Sequence, residues 1–158
     1  MSVGILLITH SGIGCALLNV AHGTFGKLQV NIDHLSVSRD PNPDLLITKA
    51  AAMVRKLDDG DGVLVLTDMF GSTPSNVAQG LQHQGYAIRV VTGLNLPMLF
   101  RALNYPNLPL AQLAKKAVAG AKDGIFEPLT GKDLIAVDAN KKKQHAKASR
   151  QRRIVVMD

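Results

Sequence analysis

His10 and Asp68 each follow a short apolar run and precede small residues, and they are the strongest candidates for chemistry in this sequence. His10 directly follows the run VGILLIT and precedes Ser-Gly-Ile-Gly. Asp68 directly follows the run VLVLT and precedes Met-Phe-Gly-Ser-Thr-Pro. A carboxylate that accepts from one N–H of a histidine ring fixes its tautomer and leaves the lone pair of the other nitrogen free. That nitrogen can act as a nucleophile or a general base, and the carboxylate stabilises positive charge that grows on the ring.

The residues after Asp68 predict an anion-binding site. Gly71, Ser72 and Thr73 lead into a predicted helix, with Thr73 as its N-cap and Pro74 at its first position. Free N–H groups and the helix dipole at such an end favour a phosphate by roughly 0.3–2 kcal/mol. The Thr73 hydroxyl can also donate to a bound oxygen. A second helix is predicted to begin just after residues 12–14, so the pattern suits transfer of a phosphoryl group onto an imidazole nitrogen.

Strand patterns alternate with helix patterns along the chain, which predicts an α/β fold with parallel βαβ units. We predict a doubly wound, mainly parallel sheet of four strands in the order 2-1-3-4, with helices on both faces. The predicted strands are Val3–Ile8, Leu28–Val37, Val63–Leu66 and Ala87–Val91, and the predicted helices are Cys15–Phe25, Asp44–Leu57, Pro74–Gln84, Leu94–Leu103 and Pro109–Lys122. Ligands of such sheets bind at the carboxyl ends of the strands where the order reverses, here between strands one and three. Because neighbouring strands lie about 4.8 Å apart, His10 and Asp68 should be able to hydrogen bond.

The charge of the chain is concentrated at its C-terminal end. The net charge is +6, yet residues 1–138 contain equal numbers of basic and acidic side chains. Residues 139–158 contain seven bases and one acid, so the basicity belongs to a tail that we predict to be mobile. We expect an α/β domain over residues 1–128 and a C-terminal extension over residues 129–158. Aromatic residues make up 4% of the chain and Trp is absent, which weighs against stacking of bases or sugars and thus against a nucleic-acid partner.

The sequence contains no pattern that calls for a metal or an organic cofactor. Cys15 is the only cysteine and is expected to be buried at a helix start, and the histidines other than His10 lack metal-ligand spacing. Gly12 and Gly14 are followed by Leu17 where a dinucleotide-binding fingerprint needs Gly or Ala. No basic leader precedes the first apolar run, and no run approaches the roughly 20 residues of a membrane span. We therefore expect a cytoplasmic protein without membrane insertion.

Four motifs resemble the mannose-type (mannose/fructose/sorbose) enzyme IIA of the bacterial phosphotransferase system (PTS). They are THSGIG, LVLTDMFGSTPSN, VVTGLNLPMLFRAL and AKKAVAGAKDGI, and the resemblance runs from about Val3 to Ile125. It implies that His10 accepts phosphate from the phosphohistidine of the carrier HPr and passes it to a IIB component. It also implies that Asp68 orients His10, that Thr73 lies beside the phosphate, and that a homodimer exchanges an antiparallel C-terminal strand, for which Ile125–Leu129 is the candidate.

Three departures from this family leave alternatives open. Ser72 replaces the second glycine of the usual Gly-Gly-Ser/Thr-Pro, and Ser11 replaces the usual glycine after the histidine. A serine directly after the histidine is similar to the phosphotransferase subunit of dihydroxyacetone kinase. That subunit, however, lacks an element like FGSTPSN. No IIB domain follows in these 158 residues. The alternative is a regulatory switch of an incomplete phosphotransferase system, in which phosphorylation of His10 controls a protein partner rather than sugar uptake.

Overall fold

The computed structural model describes residues 2–39, 41–128 and 130 of the chain. Within these residues, four strands form one parallel sheet in the order β2-β1-β3-β4, as predicted. The strands are β1 (Gly4–His10), β2 (Ile32–Val37), β3 (Val63–Thr67) and β4 (Ile88–Thr92). Strands β1 and β3 are nearly continuous apolar runs because both of their faces are buried.

Helices cover both faces of the sheet, which confirms the predicted architecture. They are α1 (Ile13–Phe25), α2 (Pro43–Leu57), α3 (Thr73–His83), α4 (Leu96–Leu103) and α5 (Leu110–Asp123). Alternate residues of β1 separate into two cores: Ile5 and Leu7 pack with α1, α4 and α5, whereas Leu6 and Ile8 pack with α2 and α3. This two-sided burial holds β1 and β3 in register side by side, from Gly4↔Val63 to Ile8↔Thr67.

The helix entries explain why most element boundaries could be predicted. Asn42 Oδ1 accepts from Leu45 N–H at 3.1 Å with Pro43 as the first helical residue, and Asn95 Oδ1 accepts from Met98 N–H at 2.9 Å. These are ordinary N-caps, which satisfy an amide that the helix itself leaves free.

The start of β2 differs most from its predicted position, whereas the other strand boundaries differ by one or two residues. β2 begins at Ile32 rather than at Leu28, since pairing with β1 starts at Ile5↔Ile32. The apolar side chains of Leu28 and Val30 pack against the α1 side of the sheet before the strand begins, and they mimic a continuation of its alternation.

The predicted C-terminal strand lies mostly outside the part of the chain that the structure describes. Residues 125–128 have no regular secondary structure, whereas Leu129 is outside the described residues. The basic residues of 139–158 are outside them too. The chain divides into the units Met1–Ile125 and Phe126–Asp158, and every helix and strand given above belongs to the first. The predicted boundary at residues 128 and 129 stays a prediction.

Close packing of α4 on α5 gives a test of the fold that uses two helical glycines. A Cβ on Gly120 would lie 2.8 Å from Arg101 Cγ and 2.9 Å from the Pro97 carbonyl oxygen, whereas a Cβ on Gly80 of α3 would meet nothing within 4 Å. We expect Gly120→Ala to lower the free energy of unfolding by about 1–3 kcal/mol through overpacking. Gly80→Ala should raise it by about 0.5–1 kcal/mol through helix propensity. Urea unfolding of both variants measures this, and equal effects would contradict the described packing of α4 against α5.

Candidate active site

The carboxylate of Asp68 holds both the backbone and the ring of His10. His10 is the last residue of β1, and Asp68 follows β3 directly. Asp68 Oδ2 lies 2.8 Å from His10 Nδ1 and accepts a second hydrogen bond of 2.8 Å from the His10 backbone N–H. The expected contact between the two side chains is therefore present. Because an ionised carboxylate only accepts, Nδ1 carries the hydrogen and the lone pair of Nε2 is left free.

The two side chains differ strongly in exposure. The His10 side chain is 46% exposed, whereas that of Asp68 is 10% exposed. Burial by itself would raise the pKa of Asp68. It is outweighed by hydrogen bonds from the His10 backbone and ring, by the charge interaction with His10, and by the Met69 N–H, which together hold the pKa of Asp68 below its usual value. Asp68 is thus an ionised, positioned acceptor beneath an accessible ring.

A buried threonine shapes the turn between β1 and α1. The Thr9 hydroxyl is fully buried, accepts from Gly14 N–H at 2.9 Å and donates to the His10 carbonyl at 3.0 Å. Gly12 adopts a left-handed φ of 88°, which turns the chain into α1 at little cost because glycine lacks a Cβ. In the part of the chain that the structure describes, the N–H groups of Gly12 and Ile13 have no hydrogen-bond partner. They are available to an anion beside His10.

The turn after Asp68 differs from the prediction by one residue. Ser72, with an extended backbone, is the N-cap of α3, and Thr73 is the first helical residue. The predicted capping role of Thr73 is therefore wrong. The Ser72 hydroxyl donates to the Met69 carbonyl at 2.6 Å instead of accepting from the helix. Within the described residues, the exposed Thr73 hydroxyl has no partner, so it remains free to donate to a ligand. Gly71 has a left-handed φ of 78° and is exposed.

The family model described as "PTS system fructose IIA component" matches residues 4–118 of this chain. The chain belongs to the PTS enzyme IIA family. Among curated relatives, the mannose-specific EIIAB component of Escherichia coli (strain K12) is 33% identical over 103 residues, which is 65% of this chain and 32% of that relative. The chain thus spans about a third of the length of the curated relatives it matches.

Solved structures of enzyme IIA proteins share the fold. The mannose/sorbose specific IIA subunit from Enterococcus faecalis superposes with a TM-score of 0.73 at 25% identity, covering 82% of this chain and 97% of that one. The component EIIA from Streptococcus agalactiae gives a TM-score of 0.70 at 23% identity, with 79% and 96% coverage. At that lower identity, the likeness concerns the fold alone.

The remaining candidate residues of this enzyme IIA chain do not form a metal centre in the part that the structure describes. Among the described residues, no three His, Cys, Asp or Glu side chains come together as metal ligands. Cys15 is exposed rather than buried, so that prediction is wrong: Gly14 and Leu18 face the sheet, and Cys15 lies on the outer side of α1. The described helices are all too short or too polar to cross a membrane.

Sequence reasoning missed two groups of the enzyme IIA site. The prediction assigns no role to Thr9, which follows the predicted strand Val3–Ile8, or to the Met69 N–H, which donates to Asp68 Oδ1 at 2.8 Å. The signal for Thr9 is its spacing of five residues from Gly14, whose N–H it accepts at the start of α1. No signal in the side chains reveals the second, because it is a backbone contact.

The hydrogen bonds to Asp68 predict a specific loss of stability in acid. A carboxyl group whose folded pKa lies below its unfolded pKa stabilises the fold above the unfolded pKa, about 3.9, and this contribution disappears as the pH falls through the folded value. We expect Asp68→Asn to lower the free energy of unfolding by about 1 kcal/mol or more at pH 7. The difference from the wild type should shrink between about pH 5 and pH 2.

Urea unfolding across this pH range measures the difference, and Asp61→Asn is the matched control. Asp61 is exposed and has no hydrogen-bond partner in the described part of the chain. Its substitution should have little effect at pH 7. A gap between wild type and Asp68→Asn that stays constant down to pH 2 would show that Asp68 is not a stabilised carboxylate.

Proposed function

We propose that this chain is a phosphoryl carrier of the phosphotransferase system that acts in the cytoplasm. In this proposal His10 accepts a phosphoryl group from phosphorylated HPr and passes it to a IIB component. The observation that carries the proposal is the 2.8 Å contact from His10 Nδ1 to Asp68 Oδ2 beneath a ring that is 46% exposed. This arrangement commits Nδ1 to the carboxylate and leaves Nε2 as the nucleophile.

The transfer step is a displacement between two imidazoles. The lone pair of His10 Nε2 attacks the phosphorus of the donor's phosphohistidine, so that a P–N bond forms on His10 as the P–N bond of the donor breaks. The bonding electrons return to the donor nitrogen, and the donor ring, which carries a hydrogen on its other nitrogen, becomes a neutral imidazole. The His10 ring keeps its hydrogen on Nδ1 and gains positive charge, which Asp68 stabilises from a distance of 2.8 Å. Transfer to a IIB component is the same step in the other direction.

The phosphoryl oxygens would bind to groups at the starts of α1 and α3. The free N–H groups of Gly12 and Ile13 support this role, as do the exposed Gly71 and the free hydroxyl of Thr73. A helix N-terminus favours negative charge, and both helices begin next to the site. The Ser72 hydroxyl already donates to the Met69 carbonyl. We therefore assign Ser72 a role in shaping the turn and not in binding phosphate through its side chain.

Phosphorylation of His10 is directly testable. Incubation with phosphorylated HPr should add one phosphoryl group, labile in acid and stable in base, that intact-mass analysis and peptide mapping assign to His10. His10→Ala should lose the label completely, and His83→Ala, which removes an exposed histidine at the end of α3, should keep it. Asp68→Asn should slow the transfer about tenfold or more, because the ring loses its fixed tautomer. Wild-type labelling of His10→Ala would disprove the proposal.

The regulatory alternative stays a prediction and uses the same phosphorylation. It is distinguished by the second transfer: labelled chain mixed with a mannose-type IIB component should lose its phosphoryl group if it is a sugar-transport carrier.

We further propose that the chain forms a homodimer in which a C-terminal strand is exchanged. Among the residues that the structure describes, β4 is an edge strand of the sheet, and a groove of about 460 Å³ runs between it and α5. Val90, Val91, Ala114 and Val118 contribute apolar groups to this groove. An uncovered edge strand is a ready template for pairing with another chain.

A charge placed in the groove tests the dimer. Val118 is 37% exposed on α5, so Val118→Lys should leave the fold intact and weaken association. Val20→Lys, at a position 45% exposed on α1, is the matched control. Light scattering should give twice the chain mass for the wild type and for Val20→Lys, with a lower mass for Val118→Lys. A monomeric wild type would refute the dimer.

A further inference from the structure

A tightly held turn next to His10 presents two large apolar side chains to solvent. The turn comprises residues 69–72, and we call it the Met69–Ser72 turn. Met69 is 59% exposed and Phe70 is 73% exposed. Large apolar side chains that remain exposed as neighbours on a fixed element are typical of an interaction surface.

Side-chain hydrogen bonds fix both ends of the Met69–Ser72 turn. The Met69 N–H donates to Asp68 Oδ1 at 2.8 Å, and the Ser72 hydroxyl donates to the Met69 carbonyl at 2.6 Å. The backbone N–H of Ser72 points to the same carbonyl at 3.4 Å. The exposed side chains are thus carried by a backbone that is already ordered, and an ordered backbone lowers the entropic cost of binding.

The turn and the reactive ring share one carboxylate. Asp68 Oδ2 binds His10, and Asp68 Oδ1 binds the Met69 N–H, so the turn begins within one residue of the group that orients the ring. Three residues after His10, at the start of α1, Ile13 is 40% exposed. Segments 11–13 and 69–73, which adjoin the ring and its carboxylate, contain no ionisable side chain. The surface around His10 Nε2 therefore combines apolar groups with free amides.

We infer that the Met69–Ser72 turn is the docking element for the phosphoryl-donor protein HPr, with Phe70 as its anchor and Ser72 as a positioning residue. This inference rests on the proposed function. A phosphorus atom that reacts with Nε2 must come within about 3–3.5 Å of it, so the surface that carries the donor histidine must cover the adjoining turn. The partner surface it fits is an apolar patch beside a phosphohistidine. An aromatic anchor buries about 150–250 Å², and such residues dominate the energetics of interfaces.

Two phosphoryl donors separate docking from chemistry. Phosphorylated HPr must dock, whereas potassium phosphoramidate is too small to reach the turn and the ring at once. With phosphorylated HPr, Phe70→Ala should raise the half-saturating concentration about tenfold or more and leave the maximal single-turnover rate unchanged. With phosphoramidate, Phe70→Ala should be phosphorylated on His10 at the wild-type rate. Tyr105→Ala, which removes an aromatic ring 39% exposed beyond α4, is the matched control and should match the wild type with both donors.

Substitutions of Ser72 test its role in holding the turn. Ser72→Ala and Ser72→Gly both remove the hydrogen bond to the Met69 carbonyl, and both should raise the half-saturating concentration of phosphorylated HPr about threefold or more. Ser72→Thr keeps a hydroxyl and should restore most of the wild-type value. Because Ser72 also shapes the anion-binding turn, the phosphoramidate rate is measured for all three variants: a smaller loss with phosphoramidate than with phosphorylated HPr supports the docking role, and an equal loss with both donors overturns it.

Each failure has its own signature. If phosphoramidate and phosphorylated HPr both label His10 and Phe70→Ala matches the wild type with both, the docking inference is overturned and the proposed function stands. If neither donor labels His10 in the wild type, the proposed function itself fails. If Phe70→Ala slows phosphoramidate as much as it slows phosphorylated HPr, Phe70 supports the ring rather than a partner, which also overturns the inference.

Discussion

One carboxylate oxygen, Asp68 Oδ2, accepts hydrogen bonds from both the backbone and the ring of His10. Such a contact needs the carboxyl ends of β1 and β3 side by side, and the sheet order β2-β1-β3-β4 provides that neighbourhood. It also needs β3 to end one residue before the carboxylate and β1 to end on the histidine, which fixes the register of two strands. The fully buried apolar residues of both strands supply most of the free energy that keeps this register.

The fold was predictable because its local signals agree with one another. Continuous apolar runs identify β1 and β3 as central strands. Asn-Pro identifies the start of α2 to within one residue, and Asn-Leu-Pro marks the start of α4, two residues later than the predicted Leu94. These signals depend on backbone chemistry that acts over a few residues, so they can be read without the tertiary structure. The pairing of His10 with Asp68 was predictable for a different reason. Once the strand order is assumed, residues that end two adjacent parallel strands lie next to each other at the same edge of the sheet.

Details that depend on competition between similar groups could not be predicted. Ser72 and Thr73 are both good N-caps, and the extended backbone of Ser72 decides between them. The Ser72 hydroxyl donates to the Met69 carbonyl and makes no capping hydrogen bond to the helix, which the residue type alone does not indicate. Cys15 was misjudged because its neighbours Gly14 and Leu18 set the rotation of α1, and a single apolar residue near a helix start does not report that rotation. The roles of the site residues likewise depend on hydrogen-bond partners and side-chain exposure, which a sequence pattern does not give.

The two oxygens of Asp68 bind different parts of the site, and this arrangement links the His10 ring to the Met69–Ser72 turn. Oδ2 serves His10, and Oδ1 holds the Met69 N–H. A carboxylate has a single delocalised negative charge, so positive charge arising on the imidazole draws electron density toward Oδ2 and leaves Oδ1 a poorer acceptor for Met69. In the proposed phosphoryl carrier, phosphorylation of His10 would then weaken the hydrogen bond that holds the Met69–Ser72 turn, and loss of the phosphoryl group would restore it. In that way a single acidic group would couple the state of the histidine to the Met69–Ser72 turn, the inferred docking element.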